Sequence, residues 1–429
     1  MKKKVGIIVI TAVLLGAVGF AFFMSSTGSE FFKNYGSNFK SNMNAIMKKL
    51  NIPVKEEQTD EEKQYEELVK QYEEEKQKKQ DEIDQKTEAD NKEHQSTNIG
   101  YSGTNIAFDG AKNARFAKYS GGILAVDETK MTFYNKNAKE RWSANLQISA
   151  PVLKVGGSNI LIFEKNGTKF AMYNASKKVY EKSVDGTIKT ASVSAGGDVA
   201  VVYDRGNYKG SIGVYNKSGD EVYLWNSGKY SVISADISES RRLGAALLDA
   251  DNGVSSKVYF FNIEKSGADA ELDLADSLVF DVDFNGDTLN AYADNAVYGI
   301  SGAGKVRWTY ELGEKKITRY TMSEGGTKAI ALDNNNTSEL GIISAAGKEK
   351  ASVKIDVLPD FVDVSDNRIL YNDERTVIIT DMDGNVVSKY SCSRDIKKAY
   401  IIDSNNIFIA YNSSIEFLKT NAKSQEAKK

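Results

Sequence analysis

A unit of roughly forty residues recurs from about residue 115 to the C-terminus, and repetition at this period means one supersecondary unit copied into an array. Apolar runs that read as second strands begin near Ile123, Asn159, Val199, Leu243, Thr288, Lys328, Arg368 and Asn406. A further apolar strand follows most of them and ends in Asn, Ser or Asp, as at Asn135, Asn174, Asn216, Asn262, Ser344 and Asp381. A turn comes next, often with glycine (Gly219, Gly304, Gly347, Gly384), and then a fourth strand. That strand carries Trp142, Trp225 and Trp308 at places read as equivalent, with Tyr180 or Tyr390 substituting. Polar corners such as Ser194-Ala-Gly-Gly197, Ser323-Glu-Gly-Gly326 and Ser365-Asp366 precede the second strands. Four short strands per unit at this spacing predict an all-β propeller over residues 99–420. The count is about eight four-stranded blades, or seven if one unit is misread. The last unit stops near Leu418 after three strands, while Thr104–Phe108 has no unit of its own. Thr104–Phe108 is therefore expected to close the ring as the outer strand of the last blade, which removes an exposed edge.

Charge and composition exclude several function classes. With 56 basic against 59 acidic side chains the net charge is -3, and no nucleic-acid footprint is present. The single cysteine, Cys392, rules out an intramolecular disulfide and reads as a half-buried strand residue. The single histidine, His94, lies outside the repeats, so they have no imidazole for a Ser/His pair or a zinc site.

The N-terminus reads as a membrane segment. Lys2–Lys4 within a basic end (1–4) precede the uncharged stretch 5–24, whose 20 residues match the length needed to cross a bilayer. A cleaved signal peptide has a shorter apolar region, so an anchor is the expectation. The lysine excess before it predicts a cytoplasmic N-terminus and an extracytoplasmic propeller on the cell membrane. Residues 25–54 form an amphipathic juxtamembrane segment with a helical stripe from Phe31 to Leu50. Residues 55–98 are a charged stalk and linker, helical or partly disordered, with Glu74 and Lys78 among its i,i+4 pairs. Apolar positions sustain too few heptads for a firm coiled coil, which leaves weak self-association through 31–83. Residues 421–429 read as a charged tail.

The copy Val297-Tyr298 with Gly304-Lys-Val-Arg-Trp-Thr-Tyr310 resembles the repeat of quinoprotein-like (PQQ-like) propellers, and the Ser-x-Gly-Gly corners resemble WD40-like repeats. The whole layout resembles the uncharacterised membrane-anchored propeller proteins of Gram-positive bacteria, a family of unknown function. The resemblance implies fold and location. Quinoprotein dehydrogenases carry adjacent cysteines at the cofactor, and a chain with Cys392 alone departs from that pattern. No catalytic residue and no cofactor are therefore assigned.

Asp281-Val-Asp-Phe-Asn-Gly-Asp287 imitates the start of a calcium loop, but the twelfth position is Tyr292 where an EF-hand needs glutamate. Asp281, Asp283, Asn285 and Asp287 remain weak candidates for a propeller-type Ca2+ site, against a strand ending in an Asn-Gly turn. Asp249-Ala-Asp-Asn-Gly253 and Asp381-Met-Asp-Gly-Asn385 invite the same two readings. The tryptophans read as wedges between blades. Ring-face residues on or near first strands (Arg319, Asp360 and Asp363) are better placed to bind a partner. The leading expectation is a membrane-anchored, non-catalytic binding platform for protein partners. The alternatives are a carbohydrate- or wall-binding module and a cofactor-dependent enzyme.

Overall fold

The computed structural model describes residues 101–108, 110, 113–250, 255–334, 337–365 and 367–420, together with Glu74 and Lys78. The expected basic end (1–4), membrane helix (5–24), juxtamembrane stripe and tail (421–429) lie outside the described residues. So does the stalk, except that Glu74 and Lys78 are helical. No helix among the described residues is long and apolar enough to cross a membrane.

Residues 101–420 form eight antiparallel four-stranded sheets, which settles the blade count at eight rather than seven. In seven blades the strands follow chain order. In the eighth, the order from the outside is Tyr101–Ala107, Ser414–Thr420, Asn406–Ala410, Lys398–Asp403. The N-terminal strand thus closes the ring, as expected. It is longer than the sequence suggested, pairing from Tyr101 with Thr420 to Ala107 with Ser414.

The continuous apolar runs that marked second strands have a packing cause. Neighbouring blades cover both faces of the second and third strands, so Asn159–Phe163 is buried at every position. The outer strand of blade 5, Val306–Glu311, has a neighbour's cover on one face only and alternates between exposed and half-buried. Cys392 is buried, and burial pushes its thiol up to about 12, which makes it a packing residue of the seventh blade.

In several blades the residue that ends the third strand builds the turn. Asn135 Oδ1 accepts from the Asn137 and Lys139 N–H groups, Asn216 Oδ1 from Ser218 and Asp220, and Asp381 Oδ1 from Asp383 and Asn385. The Asp381 stretch thus forms a hairpin turn, the second of its two readings. The turn needs a left-handed residue at its fourth position, supplied by Gly219 (φ 88°) in blade 3 but by Ala138 (φ 62°) in blade 1. A left-handed alanine is strained, and glycine is free of that strain at some entropic cost. Ala138→Gly should therefore stabilise the protein by about 0.5–1 kcal/mol. Gly219→Ala should cost about 2 kcal/mol or more, because its Cβ would also lie 2.7 Å from the Tyr180 ring. Urea unfolding midpoints of the two variants check this, and equal shifts of one sign would contradict it.

In six blades the pairing of third and fourth strands slips by one residue at the same place. Such bulges twist the outer edge and discourage edge-to-edge pairing with other chains. They also correct one alignment. Counted from the bulge, Trp142, Tyr180, Tyr223 and Trp308 occupy the same position, while Trp225 and Tyr390 sit two residues further on. The expected wedge role agrees with the contacts. A Cβ on Gly347 of blade 6 would stand 2.3 Å from Trp308 of blade 5, so the indole lies directly on that turn.

A candidate binding site at the ring axis

The first strands of neighbouring blades pack on each other around the axis. Each has an inner edge with no further strand to pair it, so some of its N–H groups need other partners. Carboxylates from the preceding blade supply two of them. Phe284 N–H of blade 5 donates to Asp236 of blade 4 at 2.7 Å, and Ile401 N–H of blade 8 donates to Asp363 of blade 7 at 2.8 Å. Burial pushes both carboxyls up from their ordinary range, against these hydrogen bonds.

The calcium candidates divide among separate partners. Asp281 accepts from Ser234 Oγ of blade 4 (2.5 Å) and from the Tyr320 hydroxyl of blade 6. Asp283 accepts from Asn290 Nδ2 (2.7 Å) and the Tyr292 hydroxyl (3.1 Å). Asn285 Nδ2 donates to the Glu324 carbonyl, and Asp287 accepts from Ser240. Gly286 makes the Asn-Gly turn at φ 57°. The first and last of the four lie at opposite ends of a strand and its turn, and they do not converge. Among the described residues no group of three His, Cys, Asp or Glu side chains is placed to hold a metal ion. Burial, and then the nearby charges of Asp236 and Asp281, push the Asp283 carboxyl up to about 7. Of the Asp249 stretch, residues 251–254 lie outside the described residues.

Arg319, Asp360 and Asp363 come together around the starts of the first strands of blades 6 and 7. Arg319 Nε donates to the Asp360 carbonyl and Nη1 to the Thr318 carbonyl, both at 2.7 Å. The Asp360 carboxylate accepts from Asn372 Nδ2. Asp363 is buried at 2% exposure and pairs with Lys118 Nζ of blade 1 at 2.8 Å. The sequence reading missed Lys118 and Lys398, which reach this segment, and Phe280 and Tyr320 on the adjoining seam of blades 5 and 6. Phe280 is a bulge residue on the first strand of blade 5, 41% exposed, and its ring leans on Tyr320 at 6.1 Å. Lys398 opens the first strand of blade 8, and its ammonium lies 5.5 and 5.1 Å from the Phe361 and Tyr400 ring centres. Their only sequence signal is a cation or aromatic ring inside a first strand. That becomes visible only once the blades are superimposed on one another.

A model of the family of unknown function DUF5711 matches residues 91–420, more than three quarters of the chain. The chain belongs to that family. The DUF5711 match covers every strand of the ring and begins beyond the predicted anchor and most of the stalk. No curated protein matches the sequence. Solved structures similar to this DUF5711 chain include BamB from Moraxella catarrhalis, at 13% identity and TM-score 0.49, covering 74% of this chain and 98% of that one. A eukaryotic initiation factor structure has 11% identity and TM-score 0.49 over 72% and 90% of the two chains. Hsv2 from Kluyvelomyces marxianus has 10% identity and TM-score 0.47 over 65% and 97%. At these scores the likenesses carry no argument about function.

The DUF5711 ring also has an open cleft of about 480 Å³ between blades 4 and 5. Arg242 and Asp269 form an ion pair there, while Arg242 Nε is buried without a hydrogen-bond partner among the described residues. Arg242 Nη1 donates to Asp269 at 2.7 Å, Arg242 Nη2 to the Gly302 carbonyl, and Arg307 Nη1 to Thr288 Oγ1.

Proposed function

We propose that this DUF5711 propeller is a non-catalytic binding platform for protein partners. In this reading residues 5–24 tether it to the plasma membrane, with the N-terminus cytoplasmic and the ring outside. One observation carries the platform reading: the aromatic and charged patch at the axis around Phe280, Tyr320 and Arg319. It combines an exposed ring with a guanidinium on rigid first strands, the composition that protein interfaces favour at their anchors. The acids nearest to it, Asp281 and Asp363, are engaged in bracing neighbouring blades. The tether reading rests on the uncharged stretch and its flanking lysines.

A photo-crosslinking amino acid at position 280, activated in intact cells, tests the platform. Specific protein adducts recovered from membranes are expected. If none forms while purified cell wall binds the protein, the wall-binding alternative replaces this one. Orientation has its own measurement. Protease added to intact, wall-stripped cells should remove the propeller, and full protection would place it in the cytoplasm.

A further inference from the structure

We propose that the axial patch formed by Lys118, Arg319 and Lys398 is a binding site for an oxyanion, a carboxylate or phosphate group. The inference deepens the platform reading by naming the chemistry that a partner presents there. Three cations from blades 1, 6 and 8 contact one segment of blade 7: Lys118 at Asp363 and Val364, Arg319 at Asp360, and Lys398 at Phe361. Lys118 already takes that carboxylate at 2.8 Å and the Val364 carbonyl at 3.0 Å. Arg319 spends two donors on the backbone carbonyls of Asp360 and Thr318, so its bonds leave its charge uncompensated. The carboxylate of Asp360 itself is engaged by Asn372.

Of the three cations, Lys398 is the one without a hydrogen bond or ion pair among the described residues. Among the described residues its ammonium has the two aromatic faces as its near contacts, while Asp363 attracts it at longer range. Burial lowers it from the ordinary lysine range, Asp363 pulls it back up, and Arg319 and Lys118 push it down again by less. An anion seated between these groups would relieve the repulsion and supply acceptors for unused ammonium and guanidinium donors. Charge-assisted bonds of this kind, made by a planar guanidinium and two ammonium groups, fit oxyanions better than halides.

The test titrates inorganic phosphate, and separately acetate, into the detergent-solubilised full chain by calorimetry, with chloride at matched ionic strength as the baseline. Saturable binding above chloride is expected. It should weaken about tenfold or more in Lys398→Met and in Arg319→Gln. Lys154→Met, on the first strand of blade 2, should bind like the parent protein. Lys398→Met keeps the stem against Phe361 and Tyr400 and removes a charge that burial disfavours, so its unfolding midpoint without anion should equal or exceed that of the parent. This separates loss of binding from loss of fold. Binding of phosphate alone, or of acetate alone, identifies the source of the group. No heat above chloride, or equal binding in all variants, overturns the inference. That failure would leave protein crosslinking from position 280 untouched, so the two readings fall separately.

Discussion

Deleting residues 101–107 should lower the unfolding midpoint by about 10 °C or more and increase self-association through the exposed edge. The strand contributes a ladder of seven paired positions to the eighth blade. At about 1 kcal/mol net for each of roughly seven hydrogen bonds, the loss is a large part of a typical folding free energy. Two further contacts leave with it. The Tyr101 ring packs edge-on against Tyr390 at 5.2 Å, and Asn105 Nδ2 donates to Glu416, a buried carboxylate whose other donors are Tyr390 and Tyr411. The deletion also bares Ser414–Thr420, a strand buried over most of its length, as an unpaired edge. Thermal unfolding with light scattering reads both effects. Gly103→Ala provides a milder version at the same seam, because its Cβ would meet Glu416 Oε1 at 2.5 Å. An unchanged midpoint in the deletion variant would show that the ring does not depend on its closing strand.

Asp283→Asn should flatten the dependence of stability on pH between about 4 and 7, by roughly 2–4 kcal/mol across that range. The folded carboxyl sits at about 7, whereas an unfolded aspartate titrates near 3.9. Within that window the native state keeps a proton that the unfolded state has lost. The stability that this group contributes is therefore full below pH 4 and declines as pH rises towards 7. Asparagine keeps the size and an acceptor for Asn290 and has no proton to lose. The slope is reduced rather than abolished, because burial also raises Asp236, Asp363 and Glu416 in the same direction. Lys328 faces the same seam. Burial lowers its ammonium to about 8, and Asp283 pulls it back up. Urea titrations of parent and variant at several pH values measure the difference, and parallel curves would show that Asp283 does not titrate in this range.

Much of the ring was legible because the repeat carries its own punctuation. Asn159, Val199, Thr288, Lys328 and Asn406 each begin a second strand where the apolar runs placed them. The turn residues Asn135, Asn216 and Asp381 could be read because each bonds its own neighbours two to four positions on. The outer strands were harder. A bulge shifts register by one residue and leaves no mark in composition, so Trp225 and Tyr223 exchanged places in the sequence alignment.

The axial patch was the least legible part. Arg319, Asp360 and Asp363 were singled out as ring-face residues, yet nothing in the sequence pairs Lys118 with Asp363 across 245 positions. The aspartates from 281 to 287 looked like one site because they are close in sequence. Strand geometry sends them instead to partners on three different blades.

By itself the sequence determined the repeating blade, the position of most strands, the closing N-terminal strand and the uncharged stretch 5–24. These follow from local periodicity and turn chemistry, which act over a few residues. The tertiary structure fixed at eight the count that the sequence had put at eight or seven, and it alone decided the partners of the buried acids. It also decided which cations meet at the axis. Those depend on how eight sheets pack around one point, where residues from first strands far apart in sequence are forced within a hydrogen bond of each other.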